Sequence, residues 1–195
     1  MEDRIKKFGN FSKDITKSFH VYLDMDGVLT NFNGNFMAIK SNRNNLTFEE
    51  YDKQNGKYSG WRAIDGEGIQ WWSHMPWMPD GKDLWNYMKQ YDPTILSAPS
   101  RHPDSARGKI IWVNRELGLD VERATRSPKP LKWEEGSKMI LCAQKYLFAK
   151  RYPNSILIDD TKNKISDWNN NGGIGILHTD TKSTIEKFED IINNL

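Results

Sequence analysis

The sequence holds a single cysteine, Cys142, among 195 residues. One thiol cannot close an internal disulfide, so a packed core has to hold the fold, and a reducing compartment suits the chain. No apolar run approaches the ~20 residues of a membrane helix. Residues 1–18 are polar and mixed in charge, with no apolar signal-peptide core. These absences predict a cytoplasmic chain with no membrane partner. A dominant charge sign is missing as well, since 28 Lys and Arg against 26 Asp and Glu leave +2. That balance gives no nucleic-acid footprint and no acidic tail. What the chain does have is tryptophan, eight in all, four of them at Trp61, Trp71, Trp72 and Trp77. Its length allows one domain, or one domain with a small insertion.

The most informative stretch runs from His20 to Phe32. A run of β-formers ends in Asp24 and Asp26, one residue apart, followed by Gly27. Side chains alternate along an extended chain, so the two carboxylates lean the same way. Held that close they repel, and a cation or a shared proton relieves the repulsion. Gly27 permits a sharp turn directly after them. A second acidic pair, Asp159 and Asp160, ends the apolar run Ser155–Ile158. Continuous apolar runs are the mark of buried parallel strands, and ligands of open α/β sheets bind at the carboxyl ends of such strands.

In chain order, residues 1–18 are expected as a short helix or loose arm and 19–25 as the first strand. Residues 34–80 carry Asn, Gly and Lys punctuation around short helices, with a helix start at Thr47. Asp80-Gly81 opens the next helix. Residues 94–98 read as a strand ending in Ser97-Ala98-Pro99, and Ser105 to Leu117 as a helix stopped by Gly118. Residues 119–137 read as a long surface excursion. Further strands are expected at 139–143, 155–160 and 174–178. Lys162 to Trp168 reads as a helix, and a capping box at Ser183-Thr184-Ile185-Glu186 starts the last one. His178, alone at a strand tip, reads as structural. Strands alternating with helices argue a parallel sheet with helices on both faces.

Asp24-Met25-Asp26-Gly27-Val28-Leu29-Thr30 resembles the DxDGxxT first motif of the haloacid dehalogenase-type phosphohydrolases. The resemblance implies that Asp24 is the nucleophile and Asp26 the general acid/base. It implies Ser97 and Lys145 as the phosphate-binding residues, with Lys138 and Lys150 as competitors for the lysine. It also implies a Mg2+ site made by Asp24, Asp26 through its main-chain carbonyl, Asp159 and Asp160. The implied fold is a Rossmann-like core, residues 1–33 and 81–195, with a small, mostly helical cap inserted after strand one at 34–80.

The style of these segments, with Trp71-Trp72-Ser73-His74-Met75-Pro76-Trp77 between them, is similar to the 5′(3′)-deoxyribonucleotidases. That likeness implies a small phosphate ester, a nucleotide, as substrate, with Phe32, Trp71 and Trp72 holding the base. Ala98 and the 119–137 excursion depart from that pattern. Two other classes stay open. A phosphatase acting on nucleic-acid ends is kept alive by Arg101, Arg107, Lys109, Arg115, Arg123, Arg126, Lys129 and Lys132, although backbone binding needs a basic groove. A non-catalytic interaction protein on the same fold is opposed by the intact Asp24, Asp26, Lys145, Asp159 and Asp160.

Overall fold

The computed structural model describes residues 19–126 and 136–195. The arm expected at 1–18 and the middle of the 119–137 excursion lie outside the described residues. Among the described residues six strands form one sheet: β1 (His20–Leu23), β2 (Thr94–Ser97), β3 (Thr125–Arg126), β4 (Met139–Leu141), β5 (Ser155–Asp159) and β6 (Ile174–Leu177). Their order is β3-β4-β2-β1-β5-β6, and every pairing is parallel. β1 is central, with β2 on one side and β5 on the other, in register through Tyr22–Thr94 and Tyr22–Leu157. All strand tips therefore face one end, and β1 and β5 deliver their acidic pairs side by side there.

Alternate strand residues enter two cores. Val21, Leu23, Ile95, Met139, Ile156 and Ile158 pack on one face with α5 (Gly81–Met88), α6 (Pro103–Leu117) and α8 (Thr181–Ile192). Tyr22, Leu96, Ile140 and Leu157 pack on the other with Trp168 of α7 (Lys162–Asn170). Burying both faces of a strand requires the unbroken apolar runs seen in the sequence. The expected helices on both faces of a parallel sheet are thus present.

Between β1 and α5 the chain folds into α1 (Phe32–Met37), α2 (Phe48–Asn55), α3 (Ser59–Glu67) and α4 (Ile69–Ser73). Thr47 caps α2 as expected, in a reciprocal box with Glu50. α4 lies hard against α6. A β-carbon at Gly108 would come within 2.3 Å of the Trp72 β-carbon, so only glycine permits this approach. Arg115 donates to the Ser73 carbonyl at 2.7 Å and the Trp112 indole to the Met75 carbonyl at 2.8 Å. The inserted helices are therefore pinned to the core at their C-terminal end.

Three local expectations need correction. The 119–137 excursion contains a strand, β3, on the sheet edge; two residues with no apolar run leave no periodic signal. α6 starts at Pro103, where the His102 side chain accepts from the Asp104 amide. The last helix starts at Thr181, because the Asp180 carboxylate accepts from the Ser183 amide at 2.8 Å and supplies the cap that Ser183 was expected to give.

Candidate active site

Asp24 follows β1 directly, and its amide donates to the Ile158 carbonyl of β5 at 3.0 Å, continuing the ladder. Its side chain is buried at the strand tip. Gly27 turns the chain at φ +80°, and a β-carbon there would meet Asp160 Oδ2 at 2.1 Å. The glycine thus lets the first loop close onto the second acidic pair. Gly27→Ala combines that collision with a left-handed backbone that costs an L-residue about 1–2 kcal/mol. Denaturant unfolding should show a loss of at least that size; wild-type stability would mean that Asp160 is free to swing away.

Asp24, Asp159 and Asp160 each place a carboxylate oxygen within 4.8 Å of the others. Lys145 lies among them, its Nζ 2.6 Å from Asp24 Oδ1 and 2.6 Å from Asp159 Oδ2. The other Asp159 oxygen accepts from the Thr161 amide at 2.8 Å. Lys145 opens a short 3₁₀ turn after β4, and it is the lysine brought to this place. Lys138 pairs with Asp92 instead, and Lys150 is exposed beside Gly172.

Burial pushes the Asp24 carboxyl up, to about 7, with Asp159 and Asp26 adding to the rise and Lys145 opposing it. Asp160 is raised as well, by burial and then by the Asp159 charge. For Lys145 burial works downward, but the Asp24 and Asp159 carboxylates outweigh it and hold the ammonium above its ordinary value. Carboxylates buried and crowded in this way repel one another, and a cation relieves that repulsion. The donor set is oxygen only, which suits a hard divalent ion. Asp24, Asp159 and Asp160 could hold one; the Asp26 side chain turns away from them.

Asp26 is fixed elsewhere. Its Oδ1 accepts from Thr30 Oγ1 at 3.1 Å and its Oδ2 from Lys109 Nζ at 2.5 Å. Lys109 is fully buried on the inner face of α6 and also donates to Ser97 Oγ at 2.8 Å and the Ala98 carbonyl at 3.0 Å. Ser97 was expected to bind phosphate. The residue is fully buried, its oxygen serves Lys109, and Ala98 and Pro99 line the cavity in its place. Lys109 itself read in the sequence as one of a run of surface cations. The signal for its real place was its position on the buried stripe Ala106, Lys109, Val113 of a helical period.

Over these groups opens a cavity of about 590 Å³, within the roughly 300–1,000 Å³ of small-molecule sites. Asp24, Asp26, Lys145, Asp159 and Asp160 line it, and so do Asn31, which caps α1, and Phe32, Asn33, Phe48 and Trp61 from the inserted helices. Phe48 and Trp61 pack edge to face at 4.7 Å, and Phe32 reaches Phe48 at 5.6 Å. Trp71 and Trp72, expected to hold a ligand, do not line the cavity. They are buried behind Phe32, at 5.2 Å and 6.3 Å between ring centres, where they pack α4 onto the core. Phe48 and Trp61 line the cavity instead; a single aromatic in a punctuated stretch gave no periodic cue to which ring would face inward.

No protein-family description matches the sequence, and no curated protein matches it. Solved structures do resemble the chain. A hydrolase from Streptococcus pneumoniae TIGR4 is 11% identical with a TM-score of 0.49, covering 88% of this chain and 99% of that one. A beta-phosphoglucomutase from Clostridium difficile is 15% identical with a TM-score of 0.48, covering 90% and 97%. Similarity at that level says nothing of what this chain acts on. Among the described residues no helix is long and apolar enough to cross a membrane.

Proposed function

We propose that the chain is a magnesium-dependent phosphomonoesterase that works through an aspartyl-phosphate on Asp24, with a nucleoside monophosphate as substrate. The observation that carries this reading is the Asp24 carboxylate at the cavity wall, held by Lys145 and flanked by Asp159 and Asp160. With all three ionised, the cluster carboxylates (24, 159 and 160) face one ammonium group (145), a deficit of two charges. A divalent ion matches that deficit. Asp24, Asp159 and Asp160, with the main-chain carbonyl of Asp26, would hold Mg2+, which when bound neutralises phosphoryl charge and keeps Asp24 ionised.

An Asp24 oxygen attacks phosphorus, forming the O–P bond as the bond to the ester oxygen breaks. The Asp26 carboxyl gives its proton to the departing alkoxide. Water then attacks the aspartyl-phosphate at phosphorus and loses a proton to Asp26, which releases phosphate and regenerates both side chains. Lys145 offsets charge that builds on the phosphoryl oxygens.

The aromatic wall favours a ligand that carries a flat ring, such as a nucleobase, over a simple sugar phosphate, which has none. Stacking a base on an aromatic ring contributes roughly 1–3 kcal/mol. Trp61→Ala should therefore lower kcat/KM for a nucleoside monophosphate about 5- to 150-fold and leave p-nitrophenyl phosphate within a few-fold. The primary test is a magnesium-supplemented screen over deoxyribonucleotides, ribonucleotides, sugar phosphates and 3′-phosphorylated oligonucleotides. Preference for the mononucleotides is the expected result. Preference for the oligonucleotides would move the reading to nucleic-acid ends, although Lys109 is buried and Arg115 is committed to Ser73, which removes two members of the basic run from any groove.

A further inference from the structure

We infer that Lys109 is the positioning residue for proton transfer: it fixes the carboxylate of Asp26 against the tip of β2 without touching substrate. The inference rests on the phosphomonoesterase reading. An ammonium has three N–H donors, and all three are accounted for by Asp26 Oδ2, Ser97 Oγ and the Ala98 carbonyl. None remains for a ligand. Lys109 is also absent from the cavity lining, while Asp26 is part of it. Whatever Lys109 does at the site, it does through Asp26.

The arrangement holds the carboxylate from both ends, since Thr30 takes the other oxygen at 3.1 Å. It also ties three parts of the fold together. α6 supplies the lysine, Ser97 at the end of β2 and Ala98 just beyond it supply two of its acceptors, and Trp72 of α4 covers the ammonium with its ring at 5.3 Å. Gly108, next to Lys109, is what lets α4 come that close. The seat of Lys109 is thus shared between the core and the inserted helices. A fully buried lysine is a poor way to stabilise a fold, because hydrophobic side chains of similar volume do as well or better than a buried ion pair. Here the partner carboxylate keeps 25% of its side-chain surface and can be solvated if the lysine is lost. Lys109→Met should therefore fold.

The test compares two esters. An alkyl phosphate such as a nucleoside 5′-monophosphate leaves as an alkoxide that needs the proton of Asp26, whereas p-nitrophenolate leaves without one. The constant to read is kcat/KM, which stops at the first irreversible step and so excludes hydrolysis of the intermediate. In Lys109→Met, kcat/KM for the alkyl ester should fall about 100-fold or more, in the range of a lost general acid. The value for p-nitrophenyl phosphate should fall less than about tenfold. Equal losses on the two esters, or no loss on the alkyl ester, overturn the positioning role while leaving the hydrolase reading intact. A wild-type chain that hydrolyses neither ester overturns both. Should Lys109→Met fail to fold by circular dichroism, Lys109→Leu, which also lacks a donor, carries the same comparison with the same outcomes.

Discussion

Asp24→Asn should abolish hydrolysis while leaving the fold in place. The amide has the shape of the carboxylate but cannot form an acyl-phosphate, so the first chemical step loses its nucleophile. Removal of a nucleophile of this kind lowers kcat on the order of 10⁴–10⁶-fold. Circular dichroism should be unchanged, because Lys145 keeps its second partner, Asp159, at 2.6 Å. The loss should be the same on every ester, in contrast to Trp61→Ala and Lys109→Met, whose losses depend on the alcohol released. An Asp24→Asn variant that retained a tenth of wild-type turnover would mean that water attacks phosphorus directly.

Removing divalent cations should stop turnover and lower the melting temperature, and magnesium should restore both. A ligand bound only by the native state stabilises by about 2.7 kcal/mol at a hundred times its Kd. For a chain of this length that raises Tm by about 5–10 °C. The effect depends on pH in a defined direction. In the metal-free protein the Asp24 carboxyl holds its proton up to about 7, against 3.8 for its ordinary value. The stability this group contributes is therefore full below about pH 4 and is lost as pH rises through about 7. Other carboxylates, such as Asp180 and Glu116, are lowered by their hydrogen bonds and slope the other way. The difference in stability between wild type and Asp24→Asn isolates the Asp24 part, and it should decline from pH 4 to pH 8 without metal. Magnesium, which binds the ionised form, should stabilise wild type more at pH 8 than at pH 5. A melting curve indifferent to both magnesium and EDTA would leave the acidic cluster with no cation to hold.

The sheet and the acidic strand tips were legible because they depend on local chemistry. A short apolar run rich in β-branched residues, such as 155–158, reads as a buried strand, and the carboxylates after it follow to the same end. Gly27 was legible for the same reason, as a turn required directly after Asp24 and Asp26. β3 was not, because two residues pairing with Ile140 and Leu141 carry no period of their own. The aromatic wall was legible as a cluster but not in detail. Which ring faces the cavity depends on how α4 seats against Gly108, a long-range contact that no window of sequence contains. Lys109 and Ser97 show the same limit. A serine at a strand tip reads as a ligand for phosphate and a lysine in a basic run reads as surface, yet the fold turns the two toward each other at 2.8 Å.

The most direct measurement is an acid quench during turnover, followed by peptide mass spectrometry. Asp26→Asn should slow hydrolysis of the intermediate, so that variant is mixed with p-nitrophenyl phosphate and magnesium beside the wild type. A phosphoryl adduct on the peptide that contains Asp24, absent from Asp24→Asn, is the predicted result. Phosphate release by the wild type with no adduct in either protein, or an adduct on a different residue, would contradict it.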